Sequence, residues 1–476
     1  MPGRSEVVVI GAGLSGLAAA TALVDAGVDA VTVLEASPRV GGRTLNGSAG
    51  SITIDQGATL VYPQHRRALR LAGRFGVETF DSGGAGRFVA YLNGATHSFP
   101  IGSTRGAKLL TAPIPRPIVR AALALLARRT ELPLPATDLA DLLHALRGLD
   151  TLAATVPRAE PWSAPGALEL DQQSIGAWID DMVPTRQGRL LLEPLFGYFP
   201  RTTSLLFVLH FLNTWGGISS LLSSMSTTGV LRFTSGAQTL SLGMADALGH
   251  RVIPDSPVTA IEHTADGVTV HAGAASFEAE HAIVAISPAA CRPIEFRPGL
   301  PARTASLHEA WHPVHGRKVN AVYERPFWRD AGLSGSALTD HEAAPGVLDA
   351  SPQDGSAGIL ACYTADDVDG DESPQAQTQR KEAVFGVYAS AFGAEALHPQ
   401  QYSEKRWRDE PFHFGCEGGL SVGALTSARS LLKTPVGRIH WAGVETADEW
   451  MGFMEGAVQS GFRAAREVIE PPLAAR

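Results

Sequence analysis

Cysteine is scarce in this chain: three residues in 476, Cys291, Cys362 and Cys416, with no paired spacing. That excludes a disulfide framework, leaves no cysteine pair for a zinc site, and fits a reducing cytoplasm. No metal site is expected. Long apolar runs are missing as well. Val7 to Ile10 runs straight into Gly11, Gly13 and Gly16, which suits a strand and a helix better than a secretory leader. Ile118 to Ala127 is too short to span a bilayer and carries Arg120. The expectation is a soluble chain with no membrane anchor. Cations are in deficit, since 39 Lys and Arg against 48 Asp and Glu leave a net charge of −9. A nucleic-acid backbone or an anionic membrane is therefore a poor main partner, although a local basic patch stays open. A small-molecule substrate is expected, and nothing separates a monomer from a homodimer.

What is present is ample core material, with 45% of the residues hydrophobic, enough for two or three domains. No internal repeat interrupts a mixed pattern of helix and strand. Residues 17 to 26 and 455 to 469 carry helical spacing, while Ala30 to Leu34 and Ala282 to Ile286 read as buried strands. Helix-rich sequence fills about 105 to 225, where a lid or substrate domain would be inserted. Stretches rich in Pro, Gly and small polar residues, near 156–166, 340–358 and 368–378, read as surface loops.

The chemistry begins at Val7-Val8-Val9-Ile10-Gly11-Ala12-Gly13-Leu14-Ser15-Gly16, a β-branched strand opening on a GxGxxG turn and a helix. Gly11 permits the turn, Gly13 lets backbone approach a pyrophosphate, and Gly16 lets the helix close on the strand. Glu35 follows at the end of a second strand, Val31 to Leu34, where a carboxylate can accept both hydroxyl hydrogens of an adenosine ribose. A glycine-rich structural turn before a surface glutamate is the bland alternative, and the spacing disfavours it. Arg39-Val40-Gly41-Gly42-Arg43-Thr44 then offers a second close backbone approach and a cation for the phosphates, pointing to a flavin rather than a nicotinamide dinucleotide.

That run, with Asp55-Gln56-Gly57-Ala58 beyond it, resembles the flavin-containing amine oxidase superfamily. The likeness continues through Gly57 to Thr79 without gaps, at Ser235-Gly236-Ala237-Gln238, at Ser256-Pro257-Val258, and at the closing Trp441-Ala442-Gly443-Val444-Glu445-Thr446 and Gly452-Phe453-Met454-Glu455-Gly456-Ala457. It is weakest over about 85–200 and 335–400. The resemblance implies FAD as cofactor. It implies an α/β fold: a Rossmann-like FAD-binding domain of the glutathione-reductase type, assembled from 1–85, 233–305 and 410–470. An inserted α+β substrate domain would use 86–232 and 306–409.

By the same resemblance Arg43 contacts the phosphates, Val258 meets the adenine, Glu445 serves the ribityl or phosphate region, and the Met454 backbone N–H points at the flavin edge where reduction places negative charge. Lys318, ten residues before Trp328, matches the lysine that holds a water at the flavin and assists oxygen reduction. Cys416, nine residues after Trp407, falls in the register of the cysteine bonded to the flavin in mammalian-type monoamine oxidases. A bland buried thiol is the alternative, because Phe414-Gly415 replaces the usual Gly-Gly and Glu417 replaces a tyrosine. The two aromatic walls of the amine cage thus read Glu417 and Phe453 here. Glu417 could bind a cationic amine, move a proton, or pair with an arginine outside the site. Thr59 to Pro63 lacks the arginine that would hold an α-carboxylate, so an amino-acid substrate is disfavoured.

The implied reaction removes a hydride from the carbon beside an amine nitrogen, giving an imine, with O2 reduced to H2O2 and with a specialised or secondary-metabolite amine as the substrate. Two readings stay beside it. One is C–C desaturation of the protoporphyrinogen or phytoene type; the other is a flavoprotein without turnover.

Overall fold

A computed structural model of the chain describes residues 5–82, 86–100, 115–126, 135–196, 199–218, 220, 229–366, 370–416 and 418–470. Its first sheet is built on three neighbouring parallel strands, Val31–Leu34, Ser5–Ile10 and the C-terminal half of Ala275–Val284. Val7, Val8 and Val9 are all buried because helices cover one face and a second apolar layer the other, the usual reason a parallel strand is apolar without alternation. Val252–Ile253 extends this sheet on one side and Val258–His263, Val268–Ala272 and Glu295–Arg297 on the other. Ile439–Trp441, from the far end of the chain, pairs in parallel with residues 282–284.

The last helix, Met454–Ile469, lies against the first, Leu14–Asp25. Their contact depends on Gly461: a Cβ there would stand 2.1 Å from the Ser15 carbonyl oxygen and 3.0 Å from the Ala19 nitrogen. The N- and C-terminal segments are thus one packing unit.

A second sheet runs Gln401–Arg406, Gly316–Tyr323, Gly358–Ala365, Gly346–Asp349, Leu333–Thr339, Arg87–Leu92, Ala95–Pro100. The helix Pro374–Phe392 covers it. A separate cluster of helices, chiefly Ala136–Ala153, Ile175–Met182 and Leu205–Thr214, shares a core with Leu420, Leu425, Ala447 and Met451. The helix-rich expectation for 105–225 therefore holds over its described residues. The strands of the two sheets fall into the two sets of segments expected for cofactor and substrate domains; the division into domains itself is our assignment. Strand pairing crosses it at Thr79–Asp81 with Leu231–Phe233 and at Trp311–Pro313 with Gly418–Leu420, and single bridges cross it at Val61 with Leu231 and at Thr203 with Ser421.

Three local expectations need correction. The strand expected at 282–286 is Ala275–Val284, its first half paired with Val268–Ala272 and too charged to stand out by hydrophobicity. The stretch 340–358 holds the strand Gly346–Asp349, short enough to pass for loop. The third loop runs into a helix at Pro374, capped by the Ser373 hydroxyl accepting from the Ala376 N–H.

Candidate active site

The turn after the first strand needs its glycines. Gly11 has φ +99°, and a Cβ there would lie 2.7 Å from Ile286 Cγ2; one on Gly16 would lie 1.9 Å from the Gly11 carbonyl oxygen. Gly13 and Gly41 form a parallel bridge, and a Cβ on Gly42 would be 3.3 Å from Gly13 Cα. Two backbones so close leave a cradle of bare amides, and among the described residues no side chain caps the first turn of Leu14–Asp25. Glu35 is buried and its two carboxylate oxygens accept from the Ala12 and Ser37 N–H groups at 2.7 and 2.9 Å. Its carboxylate is thereby fixed beside the turn, with further lone pairs for a ribose. The Ser256 N–H donates to the Glu35 carbonyl at 2.8 Å, bringing Val258 to the same corner.

Arg43 reaches the C-terminal part of the chain. Its guanidinium donates to the Cys416 carbonyl and stands 2.8 Å from Glu445 Oε1. Glu445 is buried, and among the described residues neither of its oxygens has a partner of hydrogen-bonding geometry. A buried carboxylate held by charge but short of donors fits the hydroxylated chain of a cofactor. Gly443 precedes it at φ +114°, its N–H held by Ser460 Oγ at 3.1 Å. These residues fit FAD: an anion-ready amide cradle, a fixed carboxylate at the ribose corner, and an arginine and a donor-hungry glutamate between.

Lys318 lies in the middle of Gly316–Tyr323 and is 0% exposed. Its ammonium donates to the Gly57 carbonyl at 2.8 Å and to Thr59 Oγ1, and sits 4.9 Å from the centre of the Tyr363 ring. Tyr363 faces it across the neighbouring strand and donates its own hydroxyl to the same Gly57 carbonyl at 2.8 Å. Burial pushes the Lys318 pKa down to about 8, opposed by the nearby Asp55 carboxylate. Gly57 admits no side chain, for a Cβ would be 2.1 Å from the Arg43 carbonyl oxygen. Lys318, Gly57, Arg43, Cys416 and Glu445 are therefore one connected group.

Phe453 immediately precedes the C-terminal helix. Around its ring stand Trp215, His65, Tyr62 and Trp450, with centroid separations of 5.1, 5.4, 5.7 and 5.7 Å. Trp450 takes φ +54°, held by its N–H donating to the Thr214 carbonyl at 3.1 Å and its carbonyl accepting from the Phe453 N–H at 3.0 Å. The Trp215 indole N–H donates to the Met451 carbonyl at 2.7 Å. Burial sets both titratable rings neutral at ordinary pH, lowering His65 to about 3 and raising Tyr62 to about 12. Among the described residues no side chain caps the helix that follows, so its first turn, beginning at Met454, presents amides toward the same end. Glu455 turns away to accept from the Arg67 and Ala68 N–H groups at 3.0 and 2.9 Å, capping Arg66–Arg74 from another part of the chain.

Sequence reasoning missed Trp215, His65 and Tyr363. The first two carry no motif, and Tyr363 is marked only by its cross-strand register with Lys318. Glu417, named as one wall of the cage, lies outside the described residues.

Fold and site together define a two-domain flavoprotein whose dinucleotide cradle leads to a buried lysine and an aromatic wall. A model of the flavin-containing amine oxidoreductase family matches residues 14–469, and the chain belongs to that family. AofH of Mycobacterium tuberculosis, described as a flavin-containing monoamine oxidase, is 35% identical over 472 residues, covering 98% of this chain and 97% of its own. Among solved structures, putrescine oxidase bound to putrescine is similar at TM-score 0.84 and 28% identity, covering 98% of this chain and 99% of that one. Cyclohexylamine oxidase from Brevibacterium oxydans is similar at TM-score 0.84 and 29% identity over the same shares. The chain is an FAD-dependent amine oxidase: it oxidises the C–H bond next to an amine nitrogen, with O2 as acceptor. Among the described residues no helix is long and apolar enough to cross a membrane.

Proposed function

We propose that this oxidase acts on a specialised monoamine with an apolar body, bound in its uncharged form against Phe453. The observation that carries this is the composition of the wall: four rings surround Phe453, and neither titratable member is charged at neutral pH. Such a surface favours hydrocarbon and offers no counter-charge to an ammonium. Bound FAD supplies the two-electron acceptor. The chain's residues orient the substrate carbon, exclude water and hold charge. Tyr62 keeps its proton and His65 is uncharged, so no described group of this wall is an ionised base. A neutral amine needs none. Lys318, anchored on Gly57 and Thr59, carries its positive charge in a dry setting where it stabilises negative charge developing on oxygen.

A peroxide-release assay over a panel of apolar monoamines and short diamines tests the substrate class. Apolar amines, of the kind cyclohexylamine oxidase is named for, should give the higher kcat/KM. Preference for a diamine such as putrescine, abolished in Glu417→Gln, would overturn the reading and give the carboxylate the recognition role.

We also propose that Cys416 bonds covalently to the flavin. Its carbonyl is fixed by Arg43, and its N–H donates to the Val314 carbonyl at 2.8 Å, which pins this residue in the connected group. Yellow colour that stays with acid-precipitated protein, and is released in Cys416→Ala, is the expected result; release from the unaltered protein rules the bond out.

A further inference from the structure

Lys318 and Tyr363 stand directly opposite each other in the antiparallel pairing of Gly316–Tyr323 with Gly358–Ala365. Residues so paired share one face of a sheet, about 5 Å apart at Cβ, and a slip of one position would carry the ring to the other face. The register therefore lays the Tyr363 ring against the lysine, with the ammonium 4.9 Å from the ring centre. Lys318 is 0% exposed and Tyr363 44%, so the tyrosine is the outer member of the pair. Its hydroxyl is committed as well, donating at 2.8 Å to the Gly57 carbonyl that also accepts from the ammonium at 2.8 Å. One side chain thus touches the cation and fixes the oxygen on which the cation is anchored.

Burial drives the ammonium toward its neutral form, so the groups around it decide whether it stays charged. Asp55 and the thiols of Cys362 and Cys416 favour the charge, and Arg232 opposes it. Lys405, opposite Lys318 on the other neighbouring strand, has its own charge met by Glu410. Glu417 lies outside the described residues. The Tyr363 ring adds an attraction of a different kind, since an aromatic face draws a cation most strongly where water does not compete. A carboxylate in the same place would cancel the field that the lysine casts on oxygen. A ring keeps the cation and leaves its charge uncompensated.

We propose that Tyr363 is the positioning residue of Lys318: its ring keeps the ammonium charged, and its hydroxyl, through the Gly57 carbonyl, keeps the ammonium in place. The consequence for turnover rests on the reading that Lys318 assists oxygen reduction; the hold of Tyr363 on the lysine is read without it.

The test is a pH titration of the visible spectrum of the flavin-loaded full-length protein, with stopped-flow rates of reoxidation by O2 alongside. The unaltered protein should show a spectral inflection near pH 8 that is absent in Lys318→Met. Tyr363→Leu keeps an apolar cover without the ring and should move the inflection down by about one pH unit. Reoxidation at pH 8 should then fall about fivefold, because the charged fraction of the lysine falls by that factor, with little change at about pH 6. Tyr363→Met, which also lacks the ring, should do the same and replaces the leucine variant if that one folds poorly. Tyr363→Phe keeps the ring, so its inflection should stay near that of the parent, while the lost hydroxyl slows reoxidation to a similar degree at every pH. An inflection that both ringless variants leave unmoved or raise overturns the proposal. So does one that survives Lys318→Met, or one that Tyr363→Phe moves as far as Tyr363→Leu does. If Lys318→Met reoxidises at the unaltered rate, the oxygen role of the lysine falls by itself, and the spectral shift in the ringless variants still decides what Tyr363 does to it.

Discussion

At the residue scale the account rests most on Lys318. A lysine ordinarily titrates near 10.5; burial penalises its charged form and brings the value to about 8. The ammonium is therefore present below about pH 8 and lost as pH rises through it. If that charge assists oxygen reduction, the rate of the oxygen half-reaction should decline above this pH. Lys318→Met should slow that half-reaction by on the order of 10²-fold and flatten its pH dependence, while reduction by amine changes much less. Stopped-flow measurement of the two half-reactions decides it: equal losses in both would reduce Lys318 to a structural strut. The lysine was legible in the sequence through the likeness of its segment, Lys318 to Trp328, to the family. Its partners were not, because Tyr363 meets it only through the pairing of two strands and Thr59 only through the fold of a distant loop.

At the scale of elements, the first strand, the turn and the first helix could be read directly, since Val7 to Gly16 combines β-branched burial with glycines that sterics demand. The C-terminal helix could be read from its spacing, but the reason for Gly461 could not. It belongs to helix contact rather than to any motif. Gly461→Ala should force Met454–Ile469 away from Leu14–Asp25, because the intruding Cβ would meet backbone that cannot turn aside. A loss of about 1–3 kcal/mol is expected, with weaker retention of flavin, read by thermal denaturation and by the ratio of visible to ultraviolet absorbance. Unchanged melting and colour would show that the helices are not tightly coupled. The missed strand Gly346–Asp349 failed for a different reason. Four residues between turns carry too little alternation to separate from loop, and its strand character comes from Gly358–Ala365 and Leu333–Thr339 on either side.

At the scale of the whole molecule, the site is made of segments that no local pattern joins. Arg43 meets Cys416 and Glu445 across some 370 to 400 residues of sequence, Glu35 meets Ser256, and Phe453 meets Tyr62 and Trp215. The motifs at the two ends of the chain predicted this meeting, since each resembles half of a dinucleotide site. The aromatic wall was half legible: Phe453 sits in a recognisable motif, whereas Trp215 arrives at the end of Leu205–Thr214 and is placed by its hydrogen bond to Met451.

The central claim is that these gathered segments hold a flavin that takes electrons from an amine. The most direct test is anaerobic mixing of the purified protein with an apolar monoamine, followed by admission of air, under continuous recording of the visible spectrum. The account predicts a yellow protein that bleaches with the amine and regains its colour with oxygen as peroxide appears. A colourless protein that takes up no added FAD, or a yellow one that no amine bleaches, would contradict it.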